Sequence, residues 1–328
     1  MKFGVICCGS IGQRHIKTAL ELGHEVIAYN RGKKRRDLVA QSFGIKVFKN
    51  CHSLFQEGVD AAIICSPNNL HVEHSLQAAK AGCHLFIEKP LSHSMEGIKA
   101  LSHEIKNRSL ITHVASNMRF HFGPSLIKKM FDKGVIGNPL WAYFWGGMYL
   151  PDWHPNEDYR IMYSALKSLG GGVVLDFIHE QDLILWFFGK PATVSAMINK
   201  SGCLEIETED IADAILSYSK NFQVNLHMDY LQKPFQRGIR LFGCKGWMEW
   251  SLDNDYVKVF DSKTNQLDLK HFPKKFSKQD MYESQMIYFI DCIRHQKPSM
   301  SNIESGIDAL KLALTIKESS EKKKFIAF

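Results

Sequence analysis

Asp176-Phe-Ile-His179-Glu-Gln-Asp182 places two carboxylates and an imidazole at intervals of three, a spacing that brings them to one face of a helix. An imidazole titrates near neutrality, so His179 is the candidate to give or take a proton, with Asp176 orienting it through charge. The competing reading is a buried histidine that caps the helix. A second group, Glu88-Lys89-Pro90, follows the apolar run His84-Leu-Phe-Ile87. If that run is a buried parallel strand, Lys89 emerges at the carboxyl edge of its sheet, where open α/β folds bind ligands, and its ammonium can polarise a substrate oxygen. A plain ion pair between Glu88 and Lys89 is the alternative.

Cys7-Cys8-Gly9-Ser10-Ile11-Gly12 lies between an apolar run and a helical pattern, the context in which a glycine-rich turn holds a dinucleotide. Gly9 lets backbone amides approach a pyrophosphate, Gly12 allows the helix to pack tightly on the strand, and the helix N-terminus adds partial positive charge near Cys8, Ser10 and Ile11. Cys7 stands where the pattern G-x-G-x-x-G has its first glycine, and its side chain restricts the turn. A tight strand-to-helix turn without a ligand would have the same pattern. Where NAD binders carry an acidic residue for the ribose hydroxyls, this chain has Asn30 and Arg31, followed by Lys33, Lys34 and Arg35. An amide and a guanidinium donate to a 2'-phosphate that a carboxylate would repel, so the expected cofactor is NAD(P), with NADP(H) preferred. An exposed basic loop is the alternative.

Two further segments, Asp60-Ala-Ala-Ile-Ile-Cys-Ser-Pro-Asn-Asn-Leu-His71 and Ala81-Gly-Cys-His-Leu-Phe-Ile-Glu-Lys-Pro90, stand in order behind the first motif. Together the three resemble the glucose-fructose oxidoreductase, inositol dehydrogenase and rhizopine-catabolism family, Gfo/Idh/MocA, over nearly the whole chain. The resemblance implies hydride transfer between a nicotinamide and a hydroxyl or keto carbon of a sugar-like substrate. It places Lys89 beside nicotinamide and substrate, and Asp176 and His179 at the catalytic helix, separated here by one position fewer than in many members. It also implies that Ser66, Pro67, Asn68 and His71 run along the cofactor with Glu88 and Asn117. Asn69 reads equally well as a plain helix cap. Arg119 leaves the nucleotide domain towards the substrate or ties the domains together. Trp153, Arg160, Tyr163 and Lys167 offer aromatic faces and charges that suit a polyhydroxylated ring, as does a well-packed aromatic loop with no ligand. This portion is similar to members associated with bacterial surface sugars. A dinucleotide-binding regulator without turnover and a redox-assisted glycosidase with tightly held NAD are the rival functions. No metal is expected, because His71-Val-Glu-His74 has no third ligand near it in sequence.

These groups must be positioned by two kinds of element. In the first third, short apolar runs (residues 2–7, 24–29, 61–65, 84–87 and 110–116) alternate with helical patterns (12–22, 35–43 and 72–81), as in β-α-β units around a parallel sheet. Gly23 and Gly82 fall just past helix ends. Beyond residue 120, alternating aromatic-rich segments (140–149, 192–199, 211–219, 223–230, 238–242, 246–250 and 256–260) predict a mostly antiparallel sheet. Helices over 125–132, 172–188, 279–295 and 303–317 would cover one face. The expected fold is α/β plus α+β: a Rossmann domain over 1–120 and a substrate-binding and oligomerisation domain over 121–328, with the last helix packing back on the first domain.

A chain of 328 residues, 45% hydrophobic and 23% charged, has room for two ordinary cores and no compositional sign of disorder. The net charge of +7 comes from short scattered clusters, which argues against nucleic acid. No secretory signal pattern and no run of membrane-spanning length are present, and eight scattered cysteines read as reduced core residues, so a cytoplasmic location without membrane partners is expected. An antiparallel sheet covered on one face must share the other, which predicts a homodimer or homotetramer through the C-terminal sheet.

Overall fold

The computed structural model describes residues 1–218 and 222–328. In chain order its elements are β1 (Lys2–Ile6), α1 (Ser10–Glu21), β2 (Glu25–Tyr29), α2 (Lys33–Phe43), β3 (Val47–Phe48), α3 (Cys51–Phe55), β4 (Ala61–Ile64), α4 (His71–Lys80), β5 (His84–Ile87), α5 (Ile98–Asn107) and β6 (Thr112–Val114). There follow α6 (Phe122–Asp132), β7 (Pro139–Gly147), α7 (Val173–Asp176), α8 (Ile178–Phe188), β8 (Thr193–Asn199), β9 (Ile211–Tyr218), β10 (Phe222–Asp229), β11 (Gln236–Gly243), β12 (Gly246–Ser251), β13 (Tyr256–Asp261) and β14 (Gln266–His271). Helices α9 (Lys278–Arg294) and α10 (Ile303–Lys322) and the short strand β15 (Ile326–Ala327) complete the chain. Ser219, the last residue of the strand predicted over 211–219, lies outside the described residues.

The chain divides into two units, Met1–Asn117 with Gln279–Ile307, and Met118–Lys278 with Asp308–Phe328. The segment that rejoins the first unit is thus α9 and the opening of α10, not the last helix alone.

The first unit is built on a parallel sheet of order β3-β2-β1-β4-β5-β6. Its central strands carry no polar alternation because both faces are covered: Ala61, Ala62, Ile63 and Ile64 are all 0% exposed. Each such isoleucine contributes about 1.5–3 kcal/mol of burial. Helix α1 turns Gly12, His15, Ile16 and Ala19 inward at helical spacing, and α9 adds Met286, Phe289, Ile290 and Ile293 to the same core. The register sets Tyr29, Ile6, Ile64, Ile87 and Val114 in one row at the carboxyl ends of five strands. Chain order reverses between β1 and β4, so the loops after those strands diverge at a switch point, the place where such sheets take ligands.

In the second unit nine strands run in the order β14-β13-β12-β11-β7-β10-β9-β8-β15, antiparallel except for the β7/β10 pair. Phe144 of β7 packs against Phe187 and Phe188 of α8, so the helices cover the face that carries the even-numbered residues of that strand. Trp141, Tyr143 and Trp145 therefore project from the opposite face, stacked on one another and only half-buried.

The helix expected over 172–188 is broken at Phe177 into α7 and α8. Gln181 donates its side-chain amide to the Val174 carbonyl at 2.6 Å, inserting a side chain into the helical ladder at the break. Six of the eight cysteines are buried or half-buried, but Cys203 and Cys244 are exposed, which corrects their reading as core residues. All eight are free thiols.

The turn after β1 holds Cys7 at φ 72°, in the left-handed region. A side chain there costs about 1–2 kcal/mol that glycine does not pay. Substitution by glycine should accordingly give a protein more stable than substitution by alanine, by about 1 kcal/mol, the reverse of the usual order. Urea unfolding of Cys7→Gly and Cys7→Ala checks this; an alanine variant of equal or greater stability contradicts it.

Candidate active site

In the first unit the glycine-rich turn, the loop after β4 and the Glu88-Lys89-Pro90 turn all leave from the row of carboxyl ends. With neighbouring strands about 4.8 Å apart, the row runs about 14 Å from the end of β2 to the end of β5. Gly9 is the N-cap of α1, and a side chain built on it would meet nothing within 4 Å, so the turn is open above the helix end. The first turn of α1 carries no acidic residue, which leaves its amides and dipole unopposed. A Cβ on Gly12 would lie 2.2 Å from the Cys7 carbonyl oxygen, so any larger residue would push the helix off the turn. Burial pushes the Cys7 thiol up to about 11 and the Cys8 thiol up to about 12, and neither adds a negative charge to an anion site.

Asn30 is tied into the same turn. Its side-chain oxygen accepts from the Cys8 amide at 3.1 Å, and its nitrogen donates to the Gly32 carbonyl at 3.3 Å. Beyond it, Arg36 donates to the Asn30 and Arg31 carbonyls, and Lys33 pairs with Asp37 at 2.8 Å. Arg31, Lys34 and Arg35 stand exposed around the start of α2.

The Glu88-Lys89-Pro90 turn is held at both ends by buried histidines. His15 of α1, 0% exposed, lies 2.7 Å from the Glu88 carboxylate. Burial pushes the Glu88 carboxyl up, but the hydrogen bond and charge of His15, with the Lys89 charge, bring it below the ordinary carboxylate value. His71 places Nδ1 2.7 Å from the Pro90 carbonyl oxygen. Glu88 and Pro90 are buried while Lys89 between them is half-buried, and the Lys89–Pro90 peptide is cis. Asn117 hydrogen-bonds Tyr282 of α9, whose ring carries the Arg14 guanidinium 4.5 Å above it and meets His15 edge-on. Sequence reasoning missed His15 and Tyr282. The signal for His15 was its place on the inward stripe of α1, three residues after Gly12.

Asn68 is buried in the loop after β4, in a 3-10 turn that runs to Leu70, next to buried Ser66 and half-exposed Asn69. The N-cap of α4 is Leu70, without a side-chain cap, so Asn69 does not cap that helix, contrary to one of its two expected roles. Both His71 ring nitrogens face carbonyl oxygens, of Pro90 and Ser66, which removes it as a metal ligand. Among the described residues no group of three or more His, Cys, Asp and Glu is placed to hold a metal ion, and no helix is long and apolar enough to cross a membrane.

In the second unit Asp176 ends α7 and His179 lies in the first turn of α8, both buried. Because the helix breaks between them, the three-residue spacing does not place them on one continuous helical face, as the sequence suggested. Tyr230 donates to Asp176 Oδ2 at 2.6 Å, its phenol held protonated by burial and by the Asp176 charge. Trp153 packs edge-on against Tyr230 and Phe177, with ring centroids 5.5 and 6.0 Å away. Arg119 spends its guanidinium on Asp182 in a bidentate pair at 2.6 and 2.9 Å, both side chains under a tenth exposed. Glu180 pairs with Arg237 at 2.5 Å. Arg160 is exposed and neutralised by Asp158 and Glu205, Lys167 is exposed, and Tyr163 is half-buried. The residues expected around the substrate thus fall into a buried group (Asp176, His179, Arg119), half-buried Trp153 and Tyr163, and exposed Arg160 and Lys167.

Residues 1–116 match the model of an oxidoreductase family with an NAD-binding Rossmann fold, and residues 125–249 match the Gfo/Idh/MocA C-terminal domain. The chain is 26% identical to myo-inositol 2-dehydrogenase of Thermotoga maritima over 99% of its own length and 98% of that protein. It superposes on an Agrobacterium radiobacter oxidoreductase solved with NAD+, L-tartaric acid and magnesium, with a TM-score of 0.88 at 20% identity, covering 100% of this chain and 98% of the other. It also superposes on levoglucosan dehydrogenase in complex with NADH and levoglucosan, with a TM-score of 0.89 at 18% identity, covering 100% and 99%. Two consecutive domain models, the first containing the open glycine-rich turn and the Lys89 turn and the second containing His179, show that this chain belongs to the Gfo/Idh/MocA oxidoreductase family.

Proposed function

We propose that this chain catalyses reversible hydride transfer between a nicotinamide nucleotide and a CH–OH carbon of a sugar or cyclic polyol. The observation that carries the reading is the Lys89 turn, anchored at the same carboxyl edge as an open, anion-attracting helix N-terminus. A bound nicotinamide supplies the hydride acceptor or donor at its C4 carbon. The amides opening α1 hold the pyrophosphate. Lys89 donates to the reacting oxygen and favours its alkoxide form. His179 takes the hydroxyl proton during oxidation and returns it during reduction, and Asp176, fixed by Tyr230, steadies the developing imidazolium. The names of relatives, a myo-inositol 2-dehydrogenase and a levoglucosan dehydrogenase, support a polyhydroxylated ring, and a surface-sugar intermediate is a finer reading supported only by the resemblance of the second half to members associated with bacterial surface sugars.

For the cofactor we infer a preference for NADP(H). Its support is the absence of a carboxylate after β2, where Asn30 is taken up by the turn while Arg31, Lys34 and Arg35 remain exposed to meet a 2'-phosphate.

The assay is nicotinamide absorbance with inositols, levoglucosan and nucleotide sugars, each with NAD(H) and NADP(H). Lys89→Met and His179→Ala should each lower kcat by about 100- to 10,000-fold while nucleotide still binds. Near-normal turnover removes the residue from the mechanism, and a lower KM for NADH than for NADPH overturns the cofactor preference. Tight nucleotide binding without turnover of any substrate favours a regulatory role.

The uncovered sheet face is proposed to pair with a second copy of the chain. Its support is the stacked Trp141-Tyr143-Trp145 row together with Met197 and Ile215, 65% and 45% exposed on neighbouring strands. Sedimentation should give a dimer or tetramer at micromolar concentration, and Met197→Glu with Ile215→Lys should shift it to monomer; a monomeric wild type contradicts the assignment.

A further inference from the structure

Arg237, the second residue of β11, carries a guanidinium whose donors are only partly spent. Its Nε donates to Glu180 Oε1 at 2.5 Å, and its Nη1 lies 3.6 Å from the Met118 sulfur, a weak acceptor. Arg119, by contrast, sets Nε and Nη2 against both oxygens of Asp182. Among the described residues no carboxylate or carbonyl takes the Nη2 hydrogens of Arg237. Its side chain is 13% exposed and that of Glu180 2%, so of the two partners the guanidinium is the one that reaches the surface. A donor so nearly covered is costly unless water or a ligand accepts from it. The guanidinium lies over the rings of Phe177 and Phe235, at 5.7 and 5.3 Å, which favour one orientation for it.

The neighbours of this edge are those of the proposed acid/base group. Gly146 stands opposite Arg237 in the β7/β11 register, and a Cβ there would lie 2.6 Å from the Phe177 ring and 2.8 Å from Glu180 Oε1, so the glycine makes room for both. Phe177 joins α7 to α8 between Asp176 and His179, and Glu180 follows His179. The same Phe177 ring meets Trp153, which meets Tyr230, the donor to Asp176. We infer that Arg237 is a substrate-binding residue, whose Nη edge donates to a pair of neighbouring hydroxyls on the ring that His179 deprotonates. The inference rests on the role proposed above for His179. Glu180 already balances the charge, so the edge offers directed donors without a net positive charge, which fits an uncharged diol better than a carboxylate. A lysine would bring the charge without the fork.

Arg237→Lys keeps a cationic partner for Glu180 and removes the fork. With whichever inositol or levoglucosan turns over fastest, it should raise KM about 10- to 100-fold while kcat stays within about threefold and the Kd for NAD+ and NADP+ is unchanged. The double variant Glu180→Gln with Arg237→Met leaves no buried charge unpaired and should show the same rise, which separates a lost contact from misfolding. Monodeoxy analogues of the same ring give the discriminating readout. For an analogue lacking one of the two hydroxyls the rise should shrink to about threefold or less, whereas a structural defect raises KM for every analogue alike. An unchanged KM, or a rise that is the same for every analogue, overturns the inference and leaves the proposed function standing. A nucleotide-loaded wild type that binds the ring in calorimetric titration without turning it over sinks the proposed function alone, and the Kd of the lysine variant for the ring then decides the inference. A nucleotide-loaded wild type that binds neither the inositols nor levoglucosan overturns both.

Discussion

A buried carboxylate and a buried imidazole, Glu88 and His15, meet 2.7 Å apart at the carboxyl edge of the parallel sheet, and the presentation of Lys89 depends on that contact. Removed from water, neither group is stable alone; paired, they pin the end of β5 to α1, the helix whose N-terminus is proposed to hold the pyrophosphate. The backbone at Lys89 is therefore tied to α1, and so to the glycine-rich turn that opens it, through two residues. His71 adds a second tether from α4. Contacts from α1 and α4 thus hold the backbone on both sides of Lys89.

In the second unit buried charges are matched in pairs. Arg119 is matched by Asp182, Arg237 by Glu180 and Asp176 by the Tyr230 hydroxyl. Removing one partner of the Arg119–Asp182 pair would leave an uncompensated buried charge at a cost of about 3–5 kcal/mol. Such a network constrains the break at Phe177, and with it the place of His179 at the start of α8.

Much of this architecture is legible in the order of residues alone. The parallel sheet is readable because strands buried on both faces are continuous apolar runs, as Ala61 to Ile64 shows, and glycines 23 and 82 mark the ends of α1 and α4 by adopting positive φ. The edge strand β14 is missed although Leu267 and Leu269 alternate with Gln266, Asp268 and Lys270, because two leucines between exposed polar residues make a weak signal. Helix α5 is missed although Ile98, Leu101 and Ile105 turn inward at helical spacing, whereas β3 and α3 are too brief for a period to show. The break between α7 and α8 depends on a tertiary contact of Gln181, and the Glu88–His15 pair joins residues whose meeting no local pattern announces. For Cys7 the sequence indicates the restricted turn, and the backbone accepts the left-handed conformation at a cost.

A nicotinamide nucleotide is expected to lie across the carboxyl ends of β2, β1, β4 and β5 with its redox end at Lys89. A crystal structure of the protein soaked with NADP+ tests it most directly. The pyrophosphate is expected against the amides of Ser10, Ile11 and Gly12, with the nicotinamide ring beside the Lys89 ammonium. Nucleotide bound elsewhere, or a pyrophosphate at α1 with the nicotinamide directed away from Lys89, would contradict the account.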